Sequence, residues 1–105
     1  MINNILFKNN KYELGYDPTY SLGMMYIIID GNRYELSCHS YEPCTYIYTQ
    51  NEKVNIAMSH AFDLSFVINA FKAGRNYIGG NQYRDISPLR FCQIIDEVIM
   101  RETTQ

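Results

Sequence analysis

The stretch Met24-Met25-Tyr26-Ile27-Ile28-Ile29-Asp30-Gly31-Asn32-Arg33-Tyr34-Glu35-Leu36-Ser37-Cys38 reads as a β-hairpin, and that reading decides the fold. The run from Leu22 to Asp30 is apolar on both faces, which suits a central strand covered on both sides or by a neighbour. Asp30-Gly31-Asn32 follows it. Asp-Gly and Gly-Asn both tolerate the positive φ that two-residue hairpin turns demand. The return strand from Arg33 to Cys38 alternates, with Tyr34, Leu36 and Cys38 on one face and Arg33, Glu35 and Ser37 on the other.

The residues on either side extend the same pattern. Ile2 to Lys8 is apolar and partly β-branched, Asn9-Asn10 is a turn candidate, and Lys11 to Tyr16 alternates with Tyr12, Leu14 and Tyr16 on one face. Asp17-Pro18 breaks that run. A loop from His39 to Pro43 carries Tyr41 and Glu42. Cys44 to Thr49 is a further β-branched and aromatic run whose faces are Cys44/Tyr46/Tyr48 and Thr45/Ile47/Thr49; the pattern does not say which is buried. Asn51-Glu52 turns the chain, and Lys53 to Ala57 is placed to pair back.

The period then changes. Leu64, Val67, Ile68 and Phe71 fall at i, i+3, i+4 and i+7, the stripe of an amphipathic helix. Ser59 and Asp63 are its N-cap candidates, Gly74 its stop, and Lys72 lies in the last turn, where the helix dipole favours a cation. Burying the four stripe residues is worth roughly 6–12 kcal/mol gross, enough to dock the helix on a sheet. Arg75 to Ile86 reads as irregular, with Gly79-Gly80 at its centre. A second helix opens at Ser87 as N-cap and Pro88 as first helical residue, with Phe91, Ile94, Ile95 and Val98 as its stripe. Strands first and helices last give an α+β fold. The expectation is an antiparallel sheet of about five to six strands in hairpins, with two C-terminal helices on one face, in one domain spanning residues 1–105.

Composition bounds the function. The chain has 105 residues, is 47% hydrophobic and 19% charged, and is too apolar for intrinsic disorder. Ten tyrosines, ten asparagines and thirteen isoleucines are what an AT-rich gene encodes; in bacteria such genes often sit in phage or other mobile elements. Net charge is −2, which makes no global electrostatic case for nucleic acid or an anionic membrane. Its distribution is uneven. Between Tyr12 and Glu52 lie Glu13, Asp17, Asp30, Glu35, Glu42 and Glu52 against Arg33 alone; between Lys72 and Phe91 lie Lys72, Arg75, Arg84 and Arg90 against Asp85 alone. No secretion signal or membrane-length apolar run is present, so the expected location is cytoplasmic. Three cysteines in that setting read as reduced thiols.

No catalytic, metal or cofactor motif stands out. Cys38-His39, Cys44, His60 and Cys92 are the only nucleophile and base types that gather. Adjacent strand residues point to opposite faces, so Cys38 and His39 do not pair as a catalytic dyad requires. The spacing Cys38-x₅-Cys44 lacks the closely spaced second pair of a zinc site. Gly74, Gly79 and Gly80 follow a helix C-terminus, the wrong end for a phosphate cradle. Acids interleaved with Tyr34, Tyr41, Tyr46 and Tyr48 do suggest protein recognition, since tyrosine supplies rigid amphipathic area and acids steer a basic partner.

The expectation is therefore a small, non-enzymatic intracellular inhibitor of one specific protein, an immunity or antitoxin protein that blocks a basic toxin or effector domain. In character the chain is similar to the heterogeneous immunity proteins of contact-dependent inhibition and other bacterial toxin systems, which share no motif. The expected partner-binding residues are Glu35, His39, Tyr41, Glu42 and Tyr48. A phage or mobile-element anti-defence protein belongs to the same class. The alternative is a nucleic-acid-binding module using Arg75, Arg84 and Arg90 with nearby aromatics. A third reading is a small enzyme using Cys38 or Cys92.

Overall fold

A computed structural model of the chain describes residues 4–18, 25–38, 45–49, 55–58, 62–79 and 85–103. Its described strands are β1 (Ile5–Lys8), β2 (Tyr12–Tyr16), β3 (Met25–Ile29), β4 (Asn32–Cys38), β5 (Thr45–Thr49) and β6 (Asn55–Met58). They form one antiparallel sheet in the order β1-β2-β3-β4-β5-β6, a meander in which every strand pairs with its neighbour in sequence. Helices α1 (Leu64–Lys72) and α2 (Pro88–Thr103) complete an α+β fold, as the order of the sequence patterns predicts.

Local chemistry sets the turns. Asn9 Oδ1 accepts from the N–H groups of Lys11 and Tyr12 at 2.9 and 2.7 Å, so an asparagine side chain closes the β1–β2 turn. Ile29 pairs directly with Asn32, leaving Asp30 and Gly31 as a two-residue loop. Their φ values, 49° and 85°, are both positive, as a type I′ hairpin turn requires.

The strands bury one face. Leu14, Ile27, Leu36 and Ile47 are fully buried along β2 to β5, and Met25, Ile29 and Ile56 lie on the same side. The undecided strand β5 resolves in the same sense: Thr45 and Ile47 point inward, and Tyr46 and Tyr48 are half-buried on the other face. Strand β3 is central within the sheet; Met25, Ile27 and Ile29 are buried on the core side, and Tyr26 and Ile28 are half-buried on the other.

Both helices dock by their expected stripes. α1 buries Leu64, Val67, Ile68 and Phe71. Asp63 is its N-cap, accepting from Phe66 N–H at 3.3 Å, and Gly74 at φ 71° ends it; the other cap candidate, Ser59, lies outside the described residues. α2 is capped by Ser87 Oγ, which accepts from Arg90 N–H at 3.1 Å. Its buried stripe adds Cys92 and Ile99 to the expected Phe91, Ile94, Ile95 and Val98. α2 touches β1 and β2 at one edge of the sheet and β6 at the other. A helix of 16 residues is about 24 Å long, which matches five inter-strand gaps of about 4.8 Å.

The described residues between the helices form one antiparallel bridge. Tyr77 and Ile86 exchange both backbone hydrogen bonds, at 2.9 and 2.7 Å, as an isolated antiparallel bridge. Asp85 takes a left-handed backbone, φ 59°, and accepts from Asn76 Nδ2 at 2.8 Å. Phe62 and Phe71 each meet Phe91 edge-on, with centroids at 5.0 and 5.9 Å, and Tyr77 meets Phe62 at 6.3 Å. Two polar ties join the layers. Thr45 Oγ1, fully buried, accepts from Phe62 N–H at 3.2 Å. Tyr12 donates to Asp96 Oδ2 on α2 at 2.8 Å, with Lys11 Nζ 3.4 Å from the same oxygen.

Replacing Thr45 by valine keeps the shape and removes the hydroxyl that accepts from the buried Phe62 N–H. Urea denaturation should show a loss of about 1–3 kcal/mol; an unchanged midpoint would mean that bond contributes nothing. A second expectation concerns alkaline pH. Burial, then the neighbouring Asp96 charge, raises the Cys92 thiol from 9.0 to about 12. Burial and the bond to Asp96 raise Tyr12 well above its ordinary 10.0. Above the unfolded values the unfolded chain has released protons that the native chain keeps, so stability falls as pH rises. The contribution is complete below about pH 9 and declines from there towards about pH 12. Urea midpoints should be flat up to about pH 8 and fall by about pH 11, and the fall should be shallower in Cys92→Ala/Tyr12→Phe.

Candidate functional site

Residues with the opposite strand phase form the face of the sheet away from the helix-facing core. Gly15 on β2 pairs with Tyr26 on β3, Tyr26 with Glu35 on β4, and Glu35 with Tyr48 on β5. The next row sets Ser37 beside Tyr46, and the row on the other side sets Glu13, Ile28 and Arg33 in line. Three tyrosines and an isoleucine therefore share one surface with Glu13, Arg33 and Glu35.

Tyr26 is held by three neighbours. Its ring lies across Gly15, so close that a Cβ there would collide with the ring edge and hydroxyl. Its hydroxyl donates to Glu13 Oε2 at 3.1 Å, and the Arg33 guanidinium stacks over the ring at 4.2 Å. Burial, and after it the bond to Glu13, raises the Tyr26 hydroxyl above its ordinary 10.0, against a smaller lowering by Arg33. Gly15 is thus required by space. Tyr46 and Tyr48 stack on one another with centroids 6.3 Å apart and planes 26° from parallel. Lys8 Nζ lies 3.4 Å from Glu13, and Arg33 Nε lies 4.0 Å from Glu35. Solvated pairs of this kind are worth about 0.2–1 kcal/mol, little enough for an incoming partner to rearrange.

Among the expected partner-binding residues, Glu35 and Tyr48 are direct cross-strand neighbours on this face; His39, Tyr41 and Glu42 lie outside the described residues. Tyr34 points the other way and packs against the core. Tyr26 was concealed within its apolar run, although strand alternation puts it in phase with Glu35. The four described charges here, Lys8, Glu13, Arg33 and Glu35, sum to zero. Glu42 and Glu52 lie outside the described residues.

The other candidates separate. Arg90 Nη1 is committed to Glu97 at 3.0 Å, one α2 side chain to another. Arg75 is exposed in the segment after α1, and Arg84 lies outside the described residues. Cys92 is fully buried, and its raised pKa keeps it a neutral thiol at physiological pH, the opposite of a reactive thiolate. The side chains of Cys38, Cys44, His39 and His60 are not among those described. No group of three or more His, Cys, Asp or Glu among the described residues is placed to hold a metal ion. No described helix is long and apolar enough to cross a membrane. Comparison with protein families, with curated proteins and with solved structures returns no match.

Gly15→Ala tests the clamp on Tyr26. The added methyl should push the ring off β2, break the Glu13 bond and return the Tyr26 hydroxyl towards 10.0. A ¹³C-tyrosine NMR titration of wild type and variant reads this directly; an unmoved Tyr26 titration would show that the ring does not rest on Gly15.

Proposed function

We propose that the chain is a non-enzymatic binding protein that acts by covering a specific partner protein with the outer face of its sheet. The observation that carries this reading is the set of Tyr26, Tyr46 and Tyr48 on a sheet face opposite the helix-facing core, with Tyr26 already locked in place. Tyrosine offers large contact area at low entropy cost, because only two side-chain torsions must be fixed. A ring fixed before binding reduces that cost further. Glu35 and Arg33, ringed by these side chains, supply the polar contacts that set orientation.

Within this reading the chain is an immunity or antitoxin protein, an inhibitor of a toxin or effector domain inside the cell. A partner that must be blocked rather than processed needs a rigid surface and no reacting group, and an antiparallel meander backed by two helices supplies such a surface. Charge steering by the acidic first half favours a basic partner. The alternative of nucleic-acid binding rests on three arginines, of which Arg90 is paired within α2.

Affinity capture from the source cell, with protein and nucleic acid both analysed, tests this reading. Wild type should retain one stoichiometric protein and inhibit its activity. Tyr46→Ala and Tyr48→Ala should each weaken capture by about tenfold or more, the scale of a central aromatic anchor. Charge reversal at Glu35 should mainly slow association. Capture indifferent to all three substitutions would remove this face from consideration. Nucleic acid retained without a protein would move the function to Arg75, Arg84 and Arg90.

A further inference from the structure

On the helical layer, Phe66, Asn69 and Ala70 of α1 face Arg75, Tyr77 and Ile78 across a groove of about 360 Å³. Phe66 is 65% exposed and Ile78 78% exposed, the two most exposed large hydrophobic side chains described. Neither belongs to the core, and each stands on a different wall. The walls are fixed by backbone. Arg75 N–H donates to Ala70 O at 2.9 Å, which holds the segment against the end of α1, and the Tyr77–Ile86 bridge holds its far side. The Tyr77 ring lies against Gly79, where a Cβ would come within 2.6 Å of it. The groove is thus formed before anything binds.

Its charge is single and positive. Arg75 is the only ionisable cation or acid among the lining residues, and it makes no ion pair among the described residues. Asp85, beside the Tyr77–Ile86 bridge, accepts instead from Asn76 Nδ2. Eight described residues line the groove, against about 20–30 a side in a stable interface between folded proteins. It suits a short segment, not a second folded copy.

We propose that this groove is a second docking site, distinct from the tyrosine face, for a short peptide segment of a partner protein. The segment inserts one large apolar side chain between Phe66 and Ile78 and sets an adjacent acidic side chain on Arg75. The apolar contact supplies affinity, and the charge-assisted hydrogen bonds to the guanidinium select an acid over its amide.

The test is an amide ¹H–¹⁵N NMR titration of the full chain with a blocked five-residue peptide carrying adjacent phenylalanine and glutamate at its centre. A second peptide with glutamine in place of the glutamate is the control. Shifts should be confined to residues 66–70 and 75–79, away from Tyr46 and Tyr48, with the glutamine peptide roughly tenfold weaker. Arg75→Gln should weaken the glutamate peptide by the same factor and leave the glutamine peptide unchanged. Phe66→Ser, at an exposed position that the fold does not need, should weaken both. Equal affinity for the two peptides, or no shifts at millimolar peptide, would overturn the proposal. Groove shifts that grow with protein concentration in the absence of peptide would also overturn it and make the groove a contact between copies. Failure here leaves the tyrosine face untouched, because its substitutions are read in a separate experiment.

Discussion

Phe91 is where the helical half of the molecule converges. It is fully buried, it takes Phe62 edge-on from the residue that leads into α1, and it takes Phe71 edge-on from the last turn of α1. Tyr77 reaches the same cluster through Phe62 and brings the inter-helix bridge with it. Edge-to-face contacts of this kind add about 0.5–1.5 kcal/mol each beyond burial, and they fix orientation as well as distance. A short α1 of nine residues would not hold its helical form in water alone. Its stability comes from this packing and from the stripe beneath it. The cluster draws both helices to one side of the sheet, opposite the face that carries Tyr26, Tyr46 and Tyr48.

That outer side is organised by one missing side chain. Gly15 sits mid-strand, where glycine normally weakens a sheet. The Tyr26 ring fills the space, so the loss on β2 is offset by aromatic contact from β3. Glu13 and Arg33, the neighbours in the next row, hold the ring from its hydroxyl and its face. A surface tyrosine with this many restraints has given up its freedom within the monomer. The cost of ordering that ring is met by folding.

Most of the architecture was legible because each element carried its signal locally. The period-two runs, the Asp30-Gly31 turn, the i, i+3, i+4, i+7 stripe and the Ser87-Pro88 helix start depend on neighbours within a few residues, and all are present. The burial of β5 was not legible, because Thr45 and Tyr46 are both compatible with either face; the inward Thr45 hydroxyl accepts from Phe62 N–H, seventeen positions away, a contact no local pattern reveals. The Tyr77–Ile86 bridge was missed because Asp85 supplies the left-handed turn residue that a pattern reader assigns to glycine. For the site, Glu35 and Tyr48 were recognised as types but not as neighbours, since their pairing is a matter of register across β4 and β5. Tyr26 was read as part of a core strand. Phe66 was visible only as an aromatic lying off the helical stripe, and nothing local joins it to Ile78.

The two surfaces are mechanically one body. Thr45 is fully buried, and the next residue on β5, Tyr46, lies on the outer face. The Thr45 hydroxyl holds Phe62, one residue before the Asp63 cap of α1, and that cap bonds the N–H of Phe66 at the mouth of the groove. A path of two hydrogen bonds and a few covalent steps thus runs from the tyrosine face to the exposed phenylalanine. The first link joins strand β5 to the residue before the α1 cap and the second lies within the start of α1. A partner engaging both would meet a fixed geometry, and the second contact would add affinity with little further ordering cost.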